Sequence, residues 1–386
     1  MGYNYLILGA GRQGTAAAYD LASFGEANRI VLADQNDTTA SKAADRVNEL
    51  TGKRIAEPAY LDVTNRQSLK SLIEAADSVM SAVPYRYNLE ITKAAIACRA
   101  HLADLGGNTP IVWEQLKLDK EAKEAGVSVV PDCGMGPGLI NTLGAFAIEL
   151  LDEPEEIFIY DAGLPQNPQP PWNYELSFHI NGLTNEMDGK AAFIRDGQVV
   201  YIDTLSEPEF IEFPPFGRLE ADVTSGGTST APWTFLGKIR RYENKVMRYP
   251  GHYEWLRAYK TLGLFSEEPV RVNGCKIPPR ELYHTLLEPK ITPETVRDVS
   301  LLRVRGIGKK DGNKSEVVVD IVDYFDEKTG FTSMERLTGW HCSIMMIFQA
   351  KGKVQPGCTP VETAVPPADF IDEIRNRGIS YSIRWI

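Results

Sequence analysis

The sequence predicts an α/β protein in which a doubly wound parallel sheet is joined to a second α+β domain built on an open, mixed or antiparallel sheet. Three observations predict it. A glycine-rich turn, Gly9-Ala10-Gly11-Arg12-Gln13-Gly14, links an apolar run to an alanine-rich one near the first residue. Short apolar segments then alternate with amphipathic ones to about residue 135, the rhythm of right-handed β-α-β crossovers. From about Ile157 the pattern changes to strand-like pieces punctuated by Pro, Gly and Asp-Gly. A chain of 386 residues exceeds one ordinary core, so two domains are expected.

In order, YNYLILGAG reads as a buried strand and QGTAAAYDLASFG as a helix with small residues on one face and a stop at Gly25. RIVLADQN is a second strand ending on Asp34, TTASKAADRVNEL a polar helix, and IAEPAYLDVTN a third strand ending near Asp62. SLKSLIEAA, LEITKAAIACRA and EQLKLDKEAKEAG read as helices separated by the strands DSVMSAVP, HLADLGGN and VSVVPDCG. Beyond them IFIYDAGLP, YELSFHING, AAFIRDGQVVYI, EFIEFP and LEADVTSGG read as strands. Residues 303–336 read as a hairpin with a charged Asp-Gly turn. The tail, TGWHCSIMMIFQAKG and PPADFIDEIRNRG, turns helical again. The expected division is a dinucleotide-binding domain over 1–135, completed by C-terminal helices of about 337–386, around a substrate and dimerisation domain over 136–336.

Bulk composition narrows the partners. A hydrophobic content of 43% and a charged content of 24% are those of a soluble globular chain. A net charge of −11 argues against nucleic acid or an anionic membrane as partner, because both demand concentrated Lys and Arg. The five cysteines, Cys98, Cys133, Cys275, Cys342 and Cys358, form no Cys-x-x-Cys pair, so neither a metal site nor a disulfide framework is expected. No signal segment and no apolar run of spanning length is visible, and the expectation is a cytoplasmic protein.

The glycine turn sits between a strand and a helix, the context a dinucleotide fingerprint requires. Gly9 permits the tight turn, Gly11 the approach of a pyrophosphate, and Gly14 close packing of helix on strand. The helix start at Arg12 and Gln13 offers free N–H groups and a positive dipole end. Asp34, 20 residues after Gly14, can accept from a ribose 2′-OH and repels a 2′-phosphate. Gln35 and Asn36 follow it rather than Arg, so NAD is the expected cofactor of this Rossmann domain.

SAVPYRYNLEITKAAI, HLADLGGN and VVPDCGMGPGLINTLGAFA, then GLPQNPQPPWNYELSFHINGLTNEM, LEADVTSGGTST, RYPGHYEWLRAYKTLGLF and FTSMERLTGWHCSI, arrive in that order. Together they resemble the saccharopine dehydrogenase-like family, and the Asp-Cys-Gly start of PDCGMGPGL looks like its lysine 6-dehydrogenase branch. The resemblance implies NAD-dependent oxidative deamination of the ε-amine of L-lysine to the 6-semialdehyde, which cyclises, with release of ammonia. His179 departs from the pattern, standing where a Ser or similar small residue is expected. The alternatives are a secondary-amine enzyme of the saccharopine, opine or carboxynorspermidine type, or a non-catalytic NAD sensor. A homodimer or higher homo-oligomer is expected.

Such chemistry needs a base for an ammonium of ordinary pKa about 10.4, and no metal. Asp132, after the sixth strand, lies where ligands of doubly wound sheets bind; it either acts on the amine or caps the following helix. His179, on an alternating strand with Glu175 and Ser177, is the other base candidate. Cys133 reads as a small buried residue. Gly134, Tyr85, Arg86, Asn181, Thr224 and Arg240 are the candidate substrate contacts, with Arg241 and Arg248 as further partners for a carboxylate. Asp62 and Val63 are expected at the adenine, and Ala82, Val83, Pro84 and Asn88 beside the nicotinamide ribose.

Overall fold

The computed structural model describes residues 2–386. Six strands alternate with helices at the start: β1 (Tyr3–Leu8), β2 (Ala27–Asp34), β3 (Ala56–Tyr60), β4 (Ser78–Ser81), β5 (His101–Asp104) and β6 (Ser128–Val130). Except in the edge strand β3, most of their apolar residues are buried, as a parallel sheet covered by helices demands. The helices after β2, β3 and β5 each begin on an asparagine whose Oδ1 accepts a backbone N–H: Asn36 from Thr39, Asn65 from Ser68, Asn108 from Ile111. The segment expected as one helix over 114–126 is broken at Lys117–Leu118. Gln115 is drawn inward, donating to Asp104 Oδ2 at 2.7 Å and to Thr92 Oγ1 at 2.9 Å.

The second domain carries β7 (Glu153–Pro165), β8 (Lys190–Arg195), β9 (Gln198–Asp203), β10 (Glu209–Phe213), β11 (Gly217–Val223) and β12 (Arg241–Arg248). A small hairpin, β13 (Val270–Val272) with β14 (Cys275–Ile277), precedes the long pair β15 (Asp298–Lys310) and β16 (Asn313–Tyr324). Its nine-stranded sheet runs β10-β11-β12-β7-β15-β16-β18, where β18 is Tyr381–Trp385, with β8 and β9 joined at β12. Every pairing is antiparallel except β12 with β7. The Asp-Gly turns close as the sequence suggests. Asp196 and Gly197 take φ 51° and 72°, and Asp311 and Gly312 take 51° and 77°, the double left-handed pair of tight hairpins.

One expected strand is absent. Residues 174–179 form irregular chain and then a helix over Ile180–Glu186. The alternation in YELSFHI is satisfied by burying Tyr174, Leu176 and Ile180 in a satellite core with Tyr253, Leu256 and Tyr283.

The tail divides. The Ser333–Ala350 helix packs on the Arg12–Phe24 helix. Gln349 Nε2 donates to the Leu102 and Ser128 carbonyls at 2.8 and 3.2 Å. β17 (Gly357–Cys358) lengthens the parallel sheet to the order β17-β6-β5-β4-β1-β2-β3. The last strand does not follow: β18 pairs with β16, so the stretch 337–386 is shared between the sheets. Among the described residues no helix is long and apolar enough to cross a membrane.

Candidate active site

Strand order reverses between β1 and β4, which opens a crevice at the carboxyl edge of the parallel sheet. The three glycines of the turn meet different constraints there. Gly9 has φ 100°, and a Cβ on it would stand 2.7 Å from the Ala82 carbonyl. A Cβ on Gly14 would fall on the Gly9 carbonyl oxygen, whereas one on Gly11 would meet nothing within 4 Å. The Arg12–Phe24 helix has no side-chain cap and no acid in its first turn, leaving its leading N–H groups for an anion. Asp34 Oδ2 accepts from Ala10 N at 3.0 Å and Oδ1 from Asn36 N at 2.9 Å. The acid is thereby aimed at the glycine loop, with lone pairs left for ribose hydroxyls. This cradle fits a nicotinamide dinucleotide.

Other expected cofactor residues divide. Ala82, Val83 and Pro84 follow β4, with Ala82 N on the Leu8 carbonyl at 2.8 Å, so they border the glycine loop. Val63 packs on the core, but Asp62 is exposed and turns back on its own chain, accepting from Thr64 N and Oγ1 at 2.9 and 2.7 Å. Those bonds hold its pKa below the usual range. Asn88 is buried, and its Oδ1 accepts from Ser81 Oγ at 2.8 Å. Tyr85 lies beside Gly107, 3.6 Å from where a Cβ would be. Arg86 stacks on Tyr87, 4.6 Å from the ring centre, and donates to its hydroxyl at 3.1 Å. Arg12 reaches across the cleft to the Ser177 carbonyl at 3.3 Å.

Asp132 follows β6, is 2% exposed and has φ 64°. It does not cap the next helix, whose cap position is Gly138. Its Oδ2 accepts from the Ser229 hydroxyl, and its other oxygen lies against Gly106, where any Cβ would collide with it. Asp104 stands behind it, accepting from Gly106 N at 2.7 Å and Asp132 N at 3.3 Å. Burial first, and the Asp104 charge second, push the Asp132 carboxyl up to about 7. Gly134 bridges to Gly138 in the same turn.

Ser229 is brought there by a pinned loop. Asn141 Nδ2 donates to the Thr228 carbonyl at 3.0 Å, Thr228 Oγ1 to Ala192 O at 2.8 Å, and Thr230 Oγ1 to Glu362 Oε1 at 2.9 Å. Cys133 is buried beside Cys342, and burial drives its thiol well above the usual value, which suits a packing residue.

The strand argument for His179 fails with the strand. His179 caps the Ile180–Glu186 helix, its Nδ1 accepting from Asn181 N at 3.1 Å. That bond commits the Nδ1 lone pair to the start of the helix. Asn181 is exposed and serves the same cap through its backbone. Thr224 is buried next to the end of that helix, where Ser225 N donates to the Glu186 carbonyl at 2.8 Å.

Arg240 is a second correction. It pairs with Glu156 Oε1 at 2.6 Å at the start of β12, and eight residues of strand set it roughly 26 Å from Arg248. Arg248, at the other end, is the buried one.

Around Arg248 lies a polar cluster that sequence reasoning assembled only in part. Asn244 Nδ2 donates to Asp161 Oδ1 at 2.7 Å between the parallel strands β12 and β7. A Cβ at Gly136 would stand 3.4 Å from Asp161 Oδ2, and one at Gly227 would strike Asn244 Oδ1, so both glycines pack directly against this cluster. Glu186 Oε2 lies 3.5 Å from Arg248 Nη2. Desolvation raises Asp161 to about 6 and Glu186 to about 7, although Arg248 opposes both shifts. A visible signal for Asp161 was an acid inside the apolar run IFIYDAGL; nothing local marked Ser229 or Asn244.

Comparison with known proteins gives a consistent picture. Residues 134–379 match the saccharopine dehydrogenase C-terminal domain, and residues 5–130 the saccharopine dehydrogenase NADP binding domain. The chain is 25% identical over 249 residues to the NADP+-dependent, L-glutamate-forming saccharopine dehydrogenase of Pyricularia oryzae, covering 60% of this chain and 53% of that one. It thus spans about half the length of that relative, and a quarter (26%) of the α-aminoadipic semialdehyde synthase of Mus musculus. Carboxyaminopropylagmatine dehydrogenase of Synechocystis is 23% identical over 97% of this chain and 96% of its own. In structure, the apo L-Glu-forming saccharopine dehydrogenase of Saccharomyces cerevisiae superposes with a TM-score of 0.81 over 100% of both chains at 18% identity, a likeness of fold.

Proposed function

The chain belongs to the saccharopine dehydrogenase family, and on that premise we propose that it is an amino-acid dehydrogenase which oxidises the ε-amine of L-lysine with NAD. The observation that carries the chemistry is Asp132: a buried carboxyl raised to about 7, one oxygen held by Ser229, at the carboxyl edge of the parallel sheet. At that value the group takes a proton near neutral pH, as an amine losing its ammonium proton requires. Asp132 is the proposed base for that proton and, once the proton has passed on to solvent, for the water that attacks the oxidised carbon, while His179 is the proposed helix cap. The dinucleotide, when bound, supplies the hydride acceptor. Gly11, Arg12 and Gln13 would meet its pyrophosphate, and Asp34 its ribose. Asp34 supports NAD over NADP, because a 2′-phosphate would be brought against a carboxylate already committed to Ala10 and Asn36.

A second reading, dehydrogenation of a secondary amine, is favoured by the near-complete overlap with carboxyaminopropylagmatine dehydrogenase. Absorbance at 340 nm separates them: reduction of NAD with L-lysine supports the first, and silence with lysine but turnover of a carboxyalkylated amine supports the second. A homo-oligomeric, cytoplasmic enzyme of lysine degradation belongs to the same proposal. Its support is β18, an edge strand with exposed Ile383 and Trp385, which is open to pairing with another copy; light scattering tests it.

A further inference from the structure

Two acids besides Asp132 are buried where the domains meet, and no cation accompanies either. Asp104 ends β5 behind Asp132. Glu362 comes from the tail, in the turn Val361–Thr363 between β17 and the Pro367–Asn376 helix, and is 2% exposed. Its side-chain donors are two threonine hydroxyls. Thr230 reaches both carboxylate oxygens, at 2.9 and 3.1 Å, and Thr234 reaches Oε1 at 2.6 Å. A carboxylate is expensive to bury with hydroxyl partners and no cation, so this position asks for a purpose that a neutral side chain would not serve.

What Glu362 grips suggests the purpose. Thr230 precedes the short helix Ala231–Thr234, and Thr234 ends it. Immediately before Thr230 stands Ser229, whose hydroxyl meets Asp132 Oδ2. Trp233 on the same short helix stands edge-on to Trp113 of the parallel-sheet domain, with ring centres 5.3 Å apart. The tail, the second domain and the carboxyl edge of the parallel sheet therefore meet through one turn. The ionisable groups around Asp132 are acids or neutral: Asp104 from the end of β5, Glu362 from the tail, and the Cys133 thiol, which burial keeps protonated. Beside Glu362 the Tyr242 hydroxyl of β12 is buried and protonated too. No Lys, Arg or His enters this set.

We propose that Glu362 is a positioning residue for the Asp132 carboxyl: by gripping Thr230 and Thr234 it holds Ser229 on Oδ2, and with Asp104 it encloses that carboxyl between two acids and no cation. The inference deepens the amine-dehydrogenase reading and rests on it for the purpose of the carboxyl, though not for its surroundings. Glu362 acts in two ways of opposite sign. The Ser229 bond steadies the ionised carboxylate, whereas the Glu362 charge repels it. Which way Asp132 moves thus depends on which action is removed.

The test is NMR of the full-length protein carrying isotope-labelled aspartate carboxyls, the Asp132 signal being identified by its loss in Asp132→Asn. Glu362→Gln keeps a carbonyl oxygen for the two threonines and removes the charge, so the Asp132 titration is expected to fall by about half a pH unit. Thr230→Val keeps the charge and loosens the turn, so the titration is expected to rise by about half a pH unit; that rise should vanish when Ser229→Ala is already present. The acid limb of kcat/KM should follow the same two directions. Should Glu362→Gln fail to fold, Thr230→Val with and without Ser229 still decides. An Asp132 titration unmoved in folded Glu362→Gln, or a Thr230→Val shift of equal size in both backgrounds, overturns the proposal. The expected titrations in a protein that oxidises no amine keep Glu362 in its role beside Asp132 and sink the dehydrogenase reading instead.

Discussion

Ser229 donates its hydroxyl hydrogen to Asp132 Oδ2 from the far side of the cleft, and both residues hold left-handed backbone, with φ 40° and 64°. Two non-glycine residues in that region cost on the order of 1–3 kcal/mol each, and such strain persists where surrounding structure over-determines it. Here the surroundings are the pinned 228–230 loop and the Gly134–Gly138 turn. The arrangement fixes one oxygen of the carboxyl and so fixes its direction.

Removing that donor should be readable in a pH profile. The Ser229 bond favours the charged form of Asp132, against burial and Asp104. In Ser229→Ala the carboxyl therefore rises further, and the acid limb of kcat/KM moves up by about one pH unit, with roughly 5-fold less activity at pH 7. An unshifted limb would separate Asp132 from the titrating base.

Asp132 also enters stability with a definite sign. Its folded value, about 7, lies above the ordinary carboxyl value of 3.8, so across that interval the folded chain holds a proton the unfolded chain has released. Its contribution is full below about pH 4 and is lost as pH rises through 7. Asp132→Asn should flatten part of the fall in Tm between pH 4 and 7 and melt above the wild type at pH 8. Scanning calorimetry across that range decides, and superposed curves would sink the assignment.

The three glycines of the cradle should respond differently to alanine. Gly11→Ala adds a methyl into open space, so stability should stay within about 0.5–1 kcal/mol while dinucleotide affinity falls about 10-fold or more. Gly14→Ala forces a methyl onto the Gly9 carbonyl and should cost about 1–3 kcal/mol of folding stability before any question of binding. Urea unfolding and cofactor titration together check both.

Arg377 and Asp20 tie the tail to the first helix, at 2.6 Å with both side chains fully buried. Ser343 Oγ adds a bond to Asp20 at 2.7 Å. Arg377→Met would strand the Asp20 charge and is expected to cost about 3–5 kcal/mol. Adding Asp20→Asn should recover much of that loss in urea midpoints; full additivity of the two changes would argue against the pairing.

The comparison of sequence with structure turns on range. Gly9, Gly11, Gly14 and Asp34 were legible because a strand, a turn and a helix within one β-α-β unit specify each other over a few residues. The Asp-Gly turns at 196 and 311 were legible for the same reason, since both central residues must tolerate positive φ. The fold of both domains and the family followed from such local rhythms and from motifs in order.

Asp132 was singled out by its position after β6, but its partner Ser229, 97 residues away, carries no local mark. Likewise the alternation that suggested a strand at Tyr174–His179 fits a buried irregular segment as well, because period two reports only which side chains go inside. Arg240, Arg241 and Arg248 were indistinguishable as arginines; the length of β12 leaves Arg240 exposed among acids and buries Arg248 among unpaired polar groups. Local chain stiffness and hydrogen-bond accounting determined the cofactor cradle and the architecture from sequence alone. Which distant side chains meet, and so what the cleft can hold, was decided by packing between the sheets, where burial raises the carboxyls of Asp132, Asp161 and Glu186.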